Sequence, residues 1–253
     1  GKVGFTGGYN LAEEYFNRTH PYGYWKDTGI MLTGDAVRNL TVMFLEMWNA
    51  VRKTDMDYDK YLPKVEYTAK EQGFVQPYAD SPIDHEHVGE EVYISMVNKA
   101  EKYCWFMTPY LIITDEMSHA LCLAAKRGVD VRIITPGIPD KKMIYNITRS
   151  FYHGLVKHGV RIYEWTPGFC HAKMSVADDC MATCGTINLD YRSLYHHFEN
   201  GCFMADCQAV LDIRNDLAAT MDECREVTEQ YSTGRSAYLR LGQLFMRLFA
   251  GLL

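Results

Sequence analysis

The chain has 253 residues, a hydrophobic fraction of 47% and a formal net charge of -6. This length allows one large domain or two modest ones, and the hydrophobic content is ordinary for a globular protein with a core. The acidic balance argues against a nucleic-acid partner, which needs a basic face, although it permits a local basic pocket around one phosphate. The sequence has no apolar run of roughly 18 residues, the length with which a helix spans a bilayer.

The amino-terminal residues, GKVGFTGGYNLAEEYF, predict a short apolar strand, a glycine turn at Gly7 and Gly8, and the start of a helix. Apolar residues at three- and four-residue steps then predict a second helix, and they include Val37, Leu40, Phe44, Leu45 and Trp48. Residues 52–70 are polar and charged, which is typical of a linker between two lobes.

From Gly73 onward, apolar strands alternate with helical segments. Thr114 is placed to cap the start of one helix and Gly128 to close its end, Gly159 closes a second helix, and a long helix is expected over 206–228. This alternation predicts the α/β class, with a mixed, mostly parallel sheet and helices on both faces.

The carboxyl-terminal residues 236–253 predict an amphipathic helix with an apolar stripe and few charges, all of them arginines. Such a helix can lie on an anionic membrane surface or pack against the first lobe, and the sequence favours neither over the other.

The eight cysteines lie partly in apolar runs such as YCWFM and ALCLAA, which is typical of buried thiols in a reducing cytosol. Cys180 and Cys184, like His85 and His87, lack the second pair of ligands that a zinc site needs. We therefore expect neither a metal nor a cofactor.

The stretch 169–200, FCHAKMSVADDCMATCGTINLDYRSLYHHFEN, contains His171, Lys173, Asp178 and, after a return strand, Asn188. Alternation on a strand would place His171 and Lys173 on one face, with Asn188 brought back beside them. Imidazole can attack as a nucleophile, while an ammonium and a carboxamide can stabilise an oxyanion. A lone HxK is typical of a half-buried strand, but the full pattern favours phosphoryl chemistry without a metal.

The segments HAKMSVAD and GTINLDYRS resemble the HKD motif of the phospholipase D superfamily, and NLDYRSLYHHFEN resembles the second HKD region of bacterial cardiolipin synthases. Members of this family carry two such motifs, in one chain or one per subunit of a dimer. One histidine forms a phosphohistidine and the other protonates the leaving alcohol. The resemblance implies a phospholipase D-like fold with a complete second lobe and a truncated first lobe.

The resemblance also implies roles for particular residues of the motif. His171 would be the nucleophile or the general acid/base, and Glu199 would orient its imidazole. Asp178 matches an aspartate that is more structural than chemical in the family. The phosphate would be held by Lys173 and Asn188, and Thr186 keeps the hydroxyl of the serine that is usual at its position.

The opening segment echoes MATCGTINLDYRS weakly, which indicates an internal duplication, and it resembles the stretch that follows the first HKD strand of two-motif enzymes. The first His, Lys and Asp would then precede Gly1. Asn10 would bind phosphate and Asp27 would be the acid of this first half-site. The expected domains are 1–60, the remnant of the first lobe; 61–235, the second lobe; and 236–253, the terminal helix.

The activity implied by the resemblance is a phosphatidyltransferase that makes cardiolipin from two phosphatidylglycerols at the cytoplasmic face of a bacterial cell membrane. A chain with one motif is expected to be nearly inactive unless a homodimer brings two His171 residues together. The alternatives are a phospholipase D hydrolase, a phosphatidylserine synthase and a non-catalytic module that binds lipid phosphate. A nuclease of the superfamily fits the acidic balance less well.

Overall fold

A computed structural model describes residues 1–69 and 72–232, so the amphipathic helix expected at 236–253 lies outside the described residues. The described strands are β1 (Val3–Gly7), β2 (Tyr24–Lys26), β3 (Gly29–Thr33), β4 (Phe74–Asp80), β5 (Tyr103–Met107), β6 (Leu111–Ile112), β7 (Asp130–Pro136), β8 (Arg161–Trp165), β9 (Gly168–Cys170), β10 (Met174–Ala177), β11 (Met181–Gly185), β12 (Leu189–Asp190), β13 (Glu199–Ala205) and β14 (Cys224–Glu226). The described helices are α1 (Ala36–Val51), α2 (Val88–Lys99), α3 (Asp115–Lys126), α4 (Lys142–Val156), α5 (Gln208–Asp222) and α6 (Thr228–Ser232).

An eight-stranded mixed sheet in the order β14-β8-β7-β5-β10-β11-β13-β4 forms the centre of the molecule. The predicted α/β class and mixed sheet are confirmed, but the expectation that the sheet is mostly parallel is wrong. Only the β5–β7 and β7–β8 pairings in this sheet are parallel, because α3 and α4 provide the crossovers between those strands. The other five pairings are antiparallel, since short turns and returning loops connect most of the strands involved.

Helices cover both faces of this sheet, as the sequence predicted. Strand alternation sends Ile133 into a hydrophobic cluster under α2, α3 and α4, whereas its neighbour Ile134 enters a second cluster under α5. Thr114 caps α3 by accepting from the Met117 N–H at 3.0 Å, and Gly128 takes a φ of +94° just beyond the helix end, both as expected.

The carboxyl end of the described region differs from the expected long helix over 206–228. Helix α5 ends at Asp222, and the next residues form β14, which pairs antiparallel with β8. The pairing is reinforced by Arg161, whose guanidinium lies 2.7 Å from a Glu226 carboxylate oxygen. Within the described residues, no helix has the length and apolar character needed to cross a membrane.

The amino-terminal segment repeats part of the second lobe in its pairing register. Gly7 of β1 lies opposite Gly29 of β3, and Gly185 of β11 lies opposite Gly201 of β13. Each hairpin is followed by a helix, α1 or α5. Leu32 of this segment is buried in the same hydrophobic cluster as the residues under α5. The two halves therefore share a core.

Candidate active site

Two short strands from distant parts of the chain bring Asp27 and His171 together. Strand β2 pairs in parallel with β9, with Lys26 opposite Cys170, so the residues that follow them lie side by side. The His171 N–H donates to the Lys26 carbonyl at 2.7 Å. The imidazole Nδ1 of His171 lies 2.8 Å from Oδ2 of Asp27, and both side chains are largely buried. A carboxylate is thus fixed on one nitrogen of the imidazole.

Lys173 also contacts this imidazole, and both residues lie in the short segment between β9 and β10. Its Nζ lies 2.8 Å from Nδ1 and 2.9 Å from Nε2 of His171, and it also donates to the His171 carbonyl. Burial lowers the pKa of Lys173 to about 8, although the nearby carboxylates of Asp27, Glu199 and Asp190 act in the opposite direction. The lysine therefore brings an ammonium of reduced basicity to the histidine.

The environment of His171 disfavours its charged form. Burial is the largest cause that lowers the pKa of His171, and the positive charge of Lys173 adds to it. The hydrogen bond with Asp27 acts in the opposite direction without cancelling these effects. The imidazole is consequently held neutral to lower pH than an ordinary histidine.

Aromatic rings enclose His171 on several sides. The Tyr15 ring meets it edge-on with centroids 5.3 Å apart, Trp25 lies at 5.2 Å, and Phe169 stacks at 5.9 Å. Trp25 and Phe169 lie opposite each other in the β2–β9 pair, so the pairing that positions Asp27 also builds this wall. The rings account for the burial that shifts the imidazole pKa.

His171 and Asn188 line one cavity of about 290 Å³. The Asn188 amide nitrogen donates to Asp190 at 3.1 Å, and its side-chain oxygen is buried with no hydrogen-bond partner among the described residues. Burial raises the pKa of Asp190. The structure thus brings His171 and Lys173 into direct contact and places Asn188 on the same cavity as His171, although residues 171–173 lie between β9 and β10 rather than on the predicted strand.

Glu199 does not hold His171, contrary to the role that the resemblance implied. Its carboxylate accepts from the Thr186 hydroxyl, and it lies 3.7 Å from Nδ1 of His197. Burial raises the pKa of Glu199. The acid on His171 is Asp27 because β2 inserts beside β9, a parallel pairing between residues 144 positions apart that motif spacing does not reveal.

Asp178 and Asn10 lie away from the imidazole. The Asp178 carboxylate accepts from three consecutive backbone N–H groups at the start of β5, of Glu101, Lys102 and Tyr103, at 2.7 to 2.9 Å. This fits the structural role expected for it. Asn10 is exposed, and its amide nitrogen donates to the Tyr15 hydroxyl at 2.9 Å, so its connection to His171 runs through that ring.

Comparison with protein families identifies the domain that carries this site. Residues 93–221 match a profile described as "Cardiolipin synthase, PLD-like domain", which is 129 of the 253 residues. The chain belongs to this phospholipase D-like cardiolipin synthase family. The family match covers His171, Lys173, Asp178, Asn188 and Glu199 but not Asp27.

Whole-chain relatives extend the similarity. A Streptococcus mutans protein described as uncharacterized is 49% identical over 252 residues, which cover 100% of this chain and 54% of that protein. A cardiolipin synthase of Halalkalibacterium halodurans is 32% identical over 253 residues, 100% of this chain and 50% of that protein. The chain therefore spans about half the length of the curated relatives it matches.

A solved structure shares the fold at low sequence identity. The phosphatidylserine synthase of Haemophilus influenzae superposes with a TM-score of 0.69 and 16% identity, over 99% of this chain and 66% of that chain. At this identity the likeness concerns the phospholipase D-like fold alone.

Sequence reasoning missed the aromatic wall and two of the side chains at the cavity, Arg192 and His197. The aromatic density of YGYW beside Asp27 was a signal for the wall. Lys141, Arg192 and His197 also line the cavity. Among the described residues, no group of three or more His, Cys, Asp or Glu side chains has the arrangement of a metal site.

Proposed function

We propose that this chain carries one half-site of a phosphatidyltransferase that makes cardiolipin and glycerol from two molecules of phosphatidylglycerol. The observation that carries the proposal is the convergence of Asp27 and Lys173 on the imidazole of His171, with Asp27 at Nδ1 and Lys173 within 2.9 Å of both nitrogens. A relative that is 32% identical over the whole chain is a cardiolipin synthase, which supports the choice of lipid.

In the first step, His171 attacks the phosphorus of the donor lipid. Donation of the Nδ1 hydrogen to Asp27 leaves the lone pair on Nε2, which is the attacking atom. The phosphorus–nitrogen bond forms as the bond from phosphorus to the glycerol oxygen breaks. The lipid is then held as a phosphohistidine, and the glycerol alkoxide requires a proton.

Charge stabilisation in this step falls to Lys173 and Asn188. The Lys173 ammonium, which contacts Nε2, donates instead to a phosphate oxygen when a phosphodiester binds, and this exchange frees the lone pair of His171. The Asn188 amide borders the same cavity and can donate to a second oxygen. Donors placed where negative charge develops are usually the largest contribution to catalysis at such a site.

In the second step, a hydroxyl of the acceptor phosphatidylglycerol attacks the phosphorus. The phosphorus–nitrogen bond breaks, a phosphorus–oxygen bond forms, and the hydroxyl proton passes to the group that protonated the glycerol alkoxide. We assign that role to an imidazole of a second half-site, held by Glu199. Asp27 and Glu199 support this assignment because each lies two residues before the paired glycine of its own hairpin, Gly29 or Gly201.

The activity test compares this chain with a longer protein that contains it, on phosphatidylglycerol vesicles. The longer protein should form cardiolipin and glycerol, and the chain alone should be slower by on the order of 10⁶, the loss typical of an incomplete catalytic unit. Comparable rates would refute the half-site proposal. A rate that rises with the square of the chain concentration would instead show that a homodimer completes the site.

The intermediate provides a second test. Donor lipid labelled in its phosphate should label His171 in an alkaline quench, and a His171→Ala variant should take up no label. Phosphatidic acid as the main product would indicate a hydrolase, and phosphatidylserine formed with added serine would indicate a serine transferase. If the longer protein binds lipid but neither takes up label nor forms product, the chain is a non-catalytic module that binds phosphate.

A further inference from the structure

We infer that Lys141, Arg192 and His197 form an anion subsite for the phosphodiester of the acceptor lipid, an inference that rests on the proposed function. All three side chains line the cavity of about 290 Å³ that also contains His171. Lys141 precedes α4 immediately, Arg192 begins a helical turn after β12, and His197 follows that turn. Two separate loops thus contribute Lys141, Arg192 and His197 to the lining of this cavity.

The three side chains have little internal compensation by carboxylates. The Lys141 Nζ lies over the Tyr110 ring, 5.7 Å from its centroid, and His197 reaches Glu199 only at 3.7 Å. Arg192 is exposed and pairs with no carboxylate in the part of the chain that the structure describes. These groups are available to bind an anion from outside.

The carboxylates of the cavity, by contrast, already accept hydrogen bonds. They take their donors as follows: Asp140 from the Tyr110 hydroxyl and the Lys141 N–H, Asp190 from the Ser193 N–H and the Asn188 amide, and Glu199 from the Thr186 hydroxyl. Their negative charge is therefore partly stabilised by fixed donors, so that Lys141 and Arg192 pair with no carboxylate among the described residues and His197 approaches only Glu199, at 3.7 Å.

The geometry of the product explains why a second subsite is needed. The two phosphorus atoms of cardiolipin are joined through one three-carbon glycerol. When the acceptor hydroxyl reaches the phosphorus on His171, the acceptor's own phosphodiester must therefore lie one glycerol length away, at the same cavity. Two anions this close repel each other, and Lys173 is committed to the first. Lys141, Arg192 and His197 are positioned to neutralise the second.

The test compares two acceptors in the longer protein that contains this chain. Vesicles of phosphatidylglycerol in phosphatidylcholine are supplied with ethanol, so that the phosphatidyl group can pass to an anionic lipid or to a neutral alcohol. The variants are Lys141→Ala, Arg192→Ala and His197→Ala, with Arg192→Lys to restore the charge. Lys142→Ala is the matched control because Lys142 is exposed, adjacent to Lys141 and not a cavity residue.

Each of the three alanine variants should lower the ratio of cardiolipin to phosphatidylethanol about tenfold, the scale of one charge-assisted hydrogen bond. Arg192→Lys should recover part of the ratio, and Lys142→Ala should keep the wild-type ratio. Equal losses of both products in the three variants would overturn the subsite. If the unmodified protein forms neither product, the proposed function itself fails, and that result is distinct from an unchanged ratio in the variants.

Discussion

At the scale of single residues, the state of His171 follows from a competition among its neighbours. Burial among aromatic rings and the charge of Lys173 lower the pKa of His171, whereas Asp27 opposes the shift. In the proposed reaction the nucleophilic imidazole must be neutral, and a lysine that stabilises the phosphate must be charged. The pKa of His171 lies below that of Lys173, so between the two values a neutral imidazole and a charged ammonium are in contact.

This competition predicts a bell-shaped pH profile of kcat/KM for the proposed reaction. The acid limb should lie at lower pH than for an ordinary histidine, because burial and the charge of Lys173 lower the pKa of His171, and activity should fall there as His171 takes up a proton. It should fall on the alkaline side near 8, because the pKa of Lys173 is lowered to about 8 and its positive charge is lost above that value. Lys173→Arg should remove the alkaline limb, since a guanidinium stays protonated. An unmoved alkaline limb in that variant would assign the limb to another group.

Asp27 gives a second prediction at this scale. Asp27→Asn keeps the size of the side chain but removes the charge that holds the Nδ1 hydrogen of His171. The variant should lose on the order of 10²- to 10⁴-fold in kcat and show an altered acid limb. Lys26→Met is the control, because Lys26 adjoins Asp27 but its side chain pairs with Asp216 at 2.7 Å. Equal losses in the two variants would mean that the strand, rather than the carboxylate, matters.

The sequence predicts much of this site but not all of it. His171, Lys173 and Asn188 lie close in the chain, so motif spacing is enough to bring them together. The contact of His171 with Asp27 depends on the parallel pairing of β2 with β9, between residues 144 positions apart. The spacing of residues within one motif cannot predict such a distant pairing. The resemblance therefore assigned the orienting role to Glu199, which lies near in sequence but binds Thr186.

At the scale of elements, the glycine turn after β1 controls how closely Asp27 and Lys173 approach the backbone. A Cβ added to Gly8 would lie 2.6 Å from Oδ1 of Asp27 and 2.9 Å from Nζ of Lys173. The neighbours are ends of side chains, which can move aside without unfolding the hairpin. Gly8 occupies the position that corresponds to Thr186 in the second hairpin, because both residues follow the paired glycines.

Gly8→Ala should therefore affect activity more than stability. We expect kcat/KM to fall on the order of 10²-fold, since displacement of reacting groups by about 1 Å has this effect. The free energy of unfolding should fall by only about 1 kcal/mol. Gly154→Ala is the matched control: this glycine lies inside α4, and an added Cβ meets nothing within 4 Å. Thermal melts and lipid-transfer assays on both variants separate the two effects, and loss of folding in Gly8→Ala would contradict the account.

Element prediction succeeds where one local rule decides the outcome. The cap of α3 follows from the side-chain hydrogen bond of Thr114. The turn at Asp178 follows from an aspartate, a residue type that tolerates its φ of +53°. Strand direction is a property of connections instead. Alternating strands and helices suggested a mostly parallel sheet. The pairings among β10, β11, β13 and β4 are antiparallel instead, because no helical crossover connects paired strands in this part of the sheet.

At the scale of the whole molecule, the two hairpins indicate a duplicated architecture, in which Asp27 of the first half lies against His171 of the second. The weak sequence echo predicted the repeat, and the matching glycine registers agree with it. The domain boundary near residue 60 stays a prediction. The segment before it is joined to the rest by the β2–β9 pairing and by Leu32 and Val37, which are buried in the cluster under α5.

This shared core predicts that a cut in the linker will not separate the two parts. A protease site inserted after Met56, which is 70% exposed, should be cleaved while the fragments stay associated and co-elute on size exclusion without denaturant. Leu32→Asp should release the amino-terminal fragment after cleavage, because an unpaired charge in the cluster costs several kcal/mol. Met31→Asp is the matched control. The Met31 side chain, next to Leu32 in the sequence, is 62% exposed, so this substitution should leave the nicked complex intact. Spontaneous release of the unmutated fragment would show that Asp27 is held against His171 by chain continuity rather than by packing.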